Sequence, residues 1–129
     1  MTQPLALIID DNYGVAHIFA KVLDKADYQT EIIMDGIAAC QRLQETTPAL
    51  VILDIHLPHI SGEELLDQIR SEPRLEQTRV IVVTAHPQAA RFWSNRAETV
   101  LSKPLKLRQI RHIASRFHPS FTPVTEPSE

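Results

Sequence analysis

The chain has 129 residues, a formal net charge of −3 and 43% hydrophobic residues. That length and balance suit one globular domain with a single core, and the net charge gives no reason to expect nucleic-acid or acidic-membrane binding, both of which need clustered base. Cys40 is the only cysteine, which rules out an intrachain disulfide and a cysteine-built zinc site. No apolar run approaches the length of a membrane span, and the N-terminus lacks a basic region followed by an apolar one, so a cytoplasmic protein is expected.

The elements follow in order. Leu5-Ala6-Leu7-Ile8-Ile9 is an apolar run that ends in Asp10-Asp11-Asn12. Val15, Ile18, Phe19, Val22, Leu23 and Ala26 then recur at helical spacing. After Asp27-Tyr28-Gln29, residues Thr30 to Met34 form a short β-prone run, and Asp35 is placed to cap a second helix carrying Ile37, Ala38, Cys40 (or Gln41) and Leu43. In that pattern Cys40 reads as a small buried hydrophobe. Leu50-Val51-Ile52-Leu53 is a strand buried on both faces that meets Asp54. Pro58 and Gly62 break the pattern, and a third helix presents Leu65, Leu66 and Ile69 before Pro73 ends it.

Arg79 to Thr84 is a fourth strand, again closing on a polar residue. Pro87 suits the first turn of a fourth helical segment, which is short and weakly patterned and carries Phe92 and Trp93. Thr99-Val100-Leu101-Ser102 is a weak fifth strand that ends in Lys103-Pro104, and Leu107, Ile110, Ile113, Ala114 and Phe117 form a last amphipathic helix. Residues 1–117 therefore read as one domain. His118 to Glu129, with three prolines and little apolar material, reads as a disordered tail.

Strand and helix alternate five times, which argues for an α/β fold: a parallel sheet with helices on both faces. Right-handed crossovers bring the carboxyl ends of all the strands to one edge, and there Asp10, Asp11, Asp54, Thr84 and Lys103 converge. Three neighbouring carboxylates repel unless a cation neutralises them, and all-oxygen ligation suits Mg²⁺. A lysine and a hydroxyl facing them complete a set fitted to a phosphoryl group, and a carboxylate can itself be the nucleophile that forms an acyl phosphate.

The segments Ile8-Ile9-Asp10-Asp11-Asn12, Ile52-Leu53-Asp54-Ile55-His56-Leu57-Pro58, Gly62, Val82-Val83-Thr84-Ala85 and Lys103-Pro104, in this order and spacing, resemble a response-regulator receiver domain of the CheY-like, stand-alone kind. The resemblance covers residues 5 to about 117. It implies a flavodoxin-like (βα)5 doubly wound sheet in the order 2-1-3-4-5 and a role in two-component signal transduction. It implies a phosphoacceptor and not an enzyme in its own right. Asp54 would take the phosphoryl group from a sensor histidine kinase or histidine phosphotransfer protein. Mg²⁺ (or Mn²⁺) would be held by Asp11, Asp54 and the backbone carbonyl of His56, with Asp10 acting through water. Thr84 would bond the phosphoryl oxygen and Lys103 would pair with the phosphate. The family's Lys–Pro bond at 103–104 is cis, and Ala85 is small as the site requires.

Two features depart from the family. Val100 stands where an aromatic switch residue is expected, and the stretch from Thr84 to Lys103 is short and lacks a Gly-Ala pair, so output by reordering of that stretch is expected in place of an aromatic rotamer change. His56 and His59, at i, i+3, invite a transition-metal reading, with His86 across the same site. Exposed loop imidazoles are the more ordinary role, and the resemblance implies that positions 56 and 86 tune the lifetime of the phosphoryl group by controlling the access of water. Two other readings compete: a small Mg²⁺-dependent phosphatase working through an aspartyl phosphate, which requires an acid where His56 stands, and a degenerate receiver serving only as an interaction module.

Overall fold

Five parallel strands, β1 (Leu5–Ile9), β2 (Gln29–Ile33), β3 (Leu50–Asp54), β4 (Arg79–Thr84) and β5 (Thr99–Ser102), form one sheet in the order β2-β1-β3-β4-β5. This is a computed structural model that describes residues 3–86 and 97–120. The described α-helices are α1 (Tyr13–Lys25), α2 (Gly36–Glu45), α3 (Gly62–Ser71) and α4 (Leu107–Arg116), with a 3-10 turn at Pro73–Leu75. The helical segment expected from Pro87, with Phe92 and Trp93, lies outside the described residues.

The three central strands are apolar on both faces because helices cover both. Residues Ala6–Ile9, Leu50–Leu53 and Val80–Val83 are all at most 2% exposed. Alternate side chains feed two cores. Ile8, Ile52, Val83 and Leu101 pack with Phe19 and Leu23 of α1 and Ile110 and Ala114 of α4. Leu7, Leu53 and Val82 pack with Leu43 of α2 and Leu65, Leu66 and Ile69 of α3. Helix starts are set locally: the side-chain oxygens of Asn12, Asp35 and Ser61 accept the amide N–H groups of Val15, Ala38 and Glu64, each cap contributing about 1 kcal/mol.

Tertiary packing corrects several apolar assignments. Ile18, Ile37 and Leu107 are about half exposed, although each belongs to a helical apolar pattern. In α2 the buried residues are Gly36, Ala39 and Leu43, and a Cβ on Gly36 would lie 2.7 Å from the Ile60 carbonyl oxygen. That close approach turns positions 36, 39 and 43 inward, and Ile37, about 100° further round the helix, faces out. Cys40 is half-buried against the α2–α3 core. The strand expected from Thr30 to Met34 runs one residue earlier, and Met34 is exposed.

His118, assigned to the tail by composition, folds back on the domain. Its Nε2 lies 3.1 Å from the Asp27 carbonyl oxygen, its ring sits edge-on to Tyr28, and its Nδ1 accepts the Ser120 amide. Residues 121–129 lie outside the described residues.

Candidate functional site

Strand register assembles the site. Ile9 pairs with Leu53, so Asp10 and Asp54 follow at one level. Asp54 pairs with Val83, Thr84 pairs with Ser102, and the Lys103 amide donates to the Thr84 carbonyl at 2.9 Å, extending the β4–β5 ladder. The Lys103–Pro104 peptide that follows is cis. Parity then sorts the side chains. Asp10, Asp54 and Lys103 continue the rows of Ile8, Ile52 and Leu101 on the α1–α4 side, whereas Thr84 and Val100 share the row of Val82.

Three strands leave the sheet by the same device. Asp10 Oδ1 accepts the Asn12 N–H at 2.8 Å, Asp54 Oδ1 accepts the His56 N–H at 3.0 Å, and Thr84 Oγ1 accepts the His86 N–H at 3.0 Å. Each short polar side chain satisfies an amide that has just lost its ladder partner, and in doing so fixes its own orientation. Because Oγ1 of Thr84 serves as acceptor here, its O–H remains able to donate.

The electrostatics are unbalanced. One oxygen from each of Asp10, Asp11 and Asp54 lies within 4.8 Å of the others, with Asp10 and Asp54 buried and Asp11 exposed. Lys103 Nζ stands 3.5 Å from Asp54 Oδ2 and 3.9 Å from Asp10 Oδ2. Burial holds the Asp10 carboxyl above its ordinary range; the Asn12 N–H and Lys103 pull it down, and Asp54 and Asp11 push it further up. Three carboxylates facing one lysine leave a net negative, oxygen-lined cluster, the donor set a hard divalent cation takes.

The loop after β3 is pressed onto the site. The Gly62 amide donates to the Ile55 carbonyl at 3.2 Å, and a Cβ on Gly62 would lie 2.6 Å from Ile55 Cα and 3.0 Å from the Asp54 carbonyl oxygen. A glycine is therefore required by close approach of backbone to backbone. His59 turns away from the site: its Nδ1 lies 2.8 Å from Asp35 Oδ1, the residue that caps α2. His56 and His86 remain together, their ring centroids 5.3 Å apart and their planes at 87°.

The sequence-derived residues Asp10, Asp11, Asp54 and Lys103 are thus brought together, and Thr84 ends the strand beside Asp54. The supporting role of Asn12, which both caps α1 and donates its amide to Asp10, was not read from sequence, although a capping residue before an apolar-periodic run is its signal.

The response regulator receiver domain family matches residues 6–115. Sporulation initiation phosphotransferase F of Bacillus subtilis is 30% identical over 122 residues, spanning 92% of this chain and 97% of that protein. The polar-differentiation response regulator DivK of Brucella anthropi is 28% identical over 78% of this chain and 85% of its own. Among solved structures, the chemotaxis response regulator CheY4 of Vibrio cholerae superposes with a TM-score of 0.81 at 22% identity, covering 90% of this chain and 99% of that one, a likeness of fold. The family whose model matches is one of signalling modules, and the sheet order is that of its fold. The chain belongs to the response regulator receiver domain family, and its function is phosphorylation-dependent signalling in a two-component system.

Proposed function

We propose that Asp54 is the phosphoacceptor, taking its phosphoryl group from a phosphohistidine on a sensor histidine kinase or phosphotransfer protein. One observation carries this reading: the buried Asp54 carboxylate, at the carboxyl end of the central strand, has Lys103 at 3.5 Å and the acidic cluster beside it. The His56 amide holds Asp54 Oδ1, leaving Oδ2 on the Lys103 side to attack phosphorus as the phosphorus–nitrogen bond breaks.

Lys103 neutralises the incoming phosphoryl charge and the Thr84 hydroxyl donates to one of its oxygens. Asp10, Asp11 and Asp54 fit Mg²⁺ by their all-oxygen donor set and their unneutralised charge, with the His56 carbonyl as a further protein ligand. Bound there, Mg²⁺ supplies charge neutralisation for the transferring group. The phosphatase reading is weaker, because His56 occupies the position where the leaving-group acid is needed.

The test is incubation with Mg²⁺ and acetyl phosphate followed by intact-mass measurement and peptide mapping. One phosphoryl group on the peptide containing Asp54, absent in Asp54→Asn, is the expected result. A phosphate mapped elsewhere overturns the assignment.

A further inference from the structure

We propose that the side chains of His56 and His86 form a second metal site, a two-imidazole clamp for a borderline cation such as Zn²⁺, distinct from the carboxylate cluster. The sequence spacing suggests His56 with His59, but the structure breaks that pair by engaging His59 with Asp35 and sets His86 against His56 instead. The ring centroids lie 5.3 Å apart. Two imidazoles bound to one tetrahedral ion at nitrogen–zinc distances of about 2.0–2.1 Å hold their centroids roughly 5 Å apart. The centroid spacing of the pair therefore matches that of two imidazoles sharing one ion.

Both residues are exposed, so water supplies the remaining ligand positions. Among the described residues no third histidine, cysteine, aspartate or glutamate joins the pair, and the affinity is correspondingly modest. Ligand softness divides the two sites: imidazole favours Zn²⁺, Ni²⁺ and Cu²⁺, whereas the carboxylates favour Mg²⁺.

The backbone amides of these two histidines are bonded to the Asp54 and Thr84 side chains. An ion held between the rings consequently ties the chain leaving β3 to the chain leaving β4, directly beside Asp54. On the reading that Asp54 carries the phosphoryl group, such a clamp restrains both loops around it and slows the attack of water.

The binding test uses the unphosphorylated 129-residue chain in saturating Mg²⁺, so it does not depend on the Asp54 assignment. Zn²⁺ is titrated by calorimetry into wild type, His56→Ala, His86→Ala and His59→Ala, and Ni²⁺ broadening of histidine ring resonances locates the ion. One Zn²⁺ per chain is expected in wild type and His59→Ala. Its affinity should fall in the other two variants by at least the roughly 10–100-fold that loss of a mere outer-shell partner costs. Equal affinity in all four proteins, or loss of Zn²⁺ binding in Asp11→Ala, overturns the site. In a second arm, Zn²⁺ should lengthen the acyl-phosphate lifetime in wild type and not in His86→Ala; an unchanged wild-type lifetime under bound Zn²⁺ overturns the clamp's role.

Discussion

Lys103 holds its ammonium 3.5 Å from the Asp54 carboxylate, a residue 49 positions earlier in the chain. The same nitrogen stands 3.9 Å from Asp10, so one cation serves two buried acids on different strands. Lys103→Met keeps the stem and removes the charge. Its phosphorylation by acetyl phosphate, followed by mass over time, should slow by roughly 10²–10³-fold, the scale set by loss of one preorganised electrostatic partner. Its melting temperature should also rise more on adding Mg²⁺ than that of wild type, because more uncompensated negative charge remains. An unchanged rate removes Lys103 from the reaction.

Mg²⁺ should stabilise the wild-type fold by relieving repulsion among Asp10, Asp11 and Asp54. Thermal melts should shift upward with Mg²⁺ in wild type and much less in Asp11→Ala. The Asp10 carboxyl is held above its ordinary value, chiefly by burial, so the folded state binds its proton more tightly than the unfolded one. Metal-free stability is consequently lost as pH rises out of the carboxylate range. At neutral pH Asp10→Asn, which retains an oxygen for the Asn12 amide, should melt higher than metal-free wild type. A lower melting temperature contradicts the electrostatic account.

Gly62→Ala should destabilise the domain despite alanine's better helix propensity. The propensity gain is at most about 1 kcal/mol. The added Cβ would sit 2.6 Å from Ile55 Cα, a backbone atom that moves only if the loop after Asp54 moves. Overpacking of this kind costs about 1–3 kcal/mol. Denaturant unfolding should show a net loss of stability, accompanied by slower phosphorylation. Wild-type stability in the variant means the loop relaxes freely.

Tyr28 gives a pH prediction independent of the metal cluster. Its O–H donates to the Ala114 carbonyl at 2.9 Å, and burial pushes its pKa up to about 12, slightly offset by Arg79. The unfolded chain loses that proton near pH 10 and the folded one only near 12, so stability falls as pH rises between them. The loss amounts to about 2–3 kcal/mol for a shift of this size. Tyr28→Phe should be less stable at neutral pH, by about 1–3 kcal/mol for the unpaired carbonyl. It should also lack this alkaline decline in denaturant melts.

Much of the fold was legible because buried strands and amphipathic helices impose short-range periods. The runs ending at Ile9, Asp54 and Thr84 needed only local pattern, and the alternation of strand and helix sufficed to bring Asp10, Asp11, Asp54, Thr84 and Lys103 to one edge. The apolar pattern was less reliable for individual side chains. Ile18, Ile37 and Leu107 fit helical stripes yet lie half exposed, since a stripe is broader than the contact it makes.

What the sequence by itself determined, then, was the set of strand ends and the identity of the groups they carry, both products of local periodicity. Only the tertiary structure decided the distances at which Lys103 meets Asp54 and Asp10, that His59 belongs to Asp35 while His56 meets His86, and that Gly62 is pinned against Ile55. Those relations depend on strand register, helix rotation and loop closure between residues distant in the chain, and the distances they set follow from packing the whole sheet against both of its helix layers.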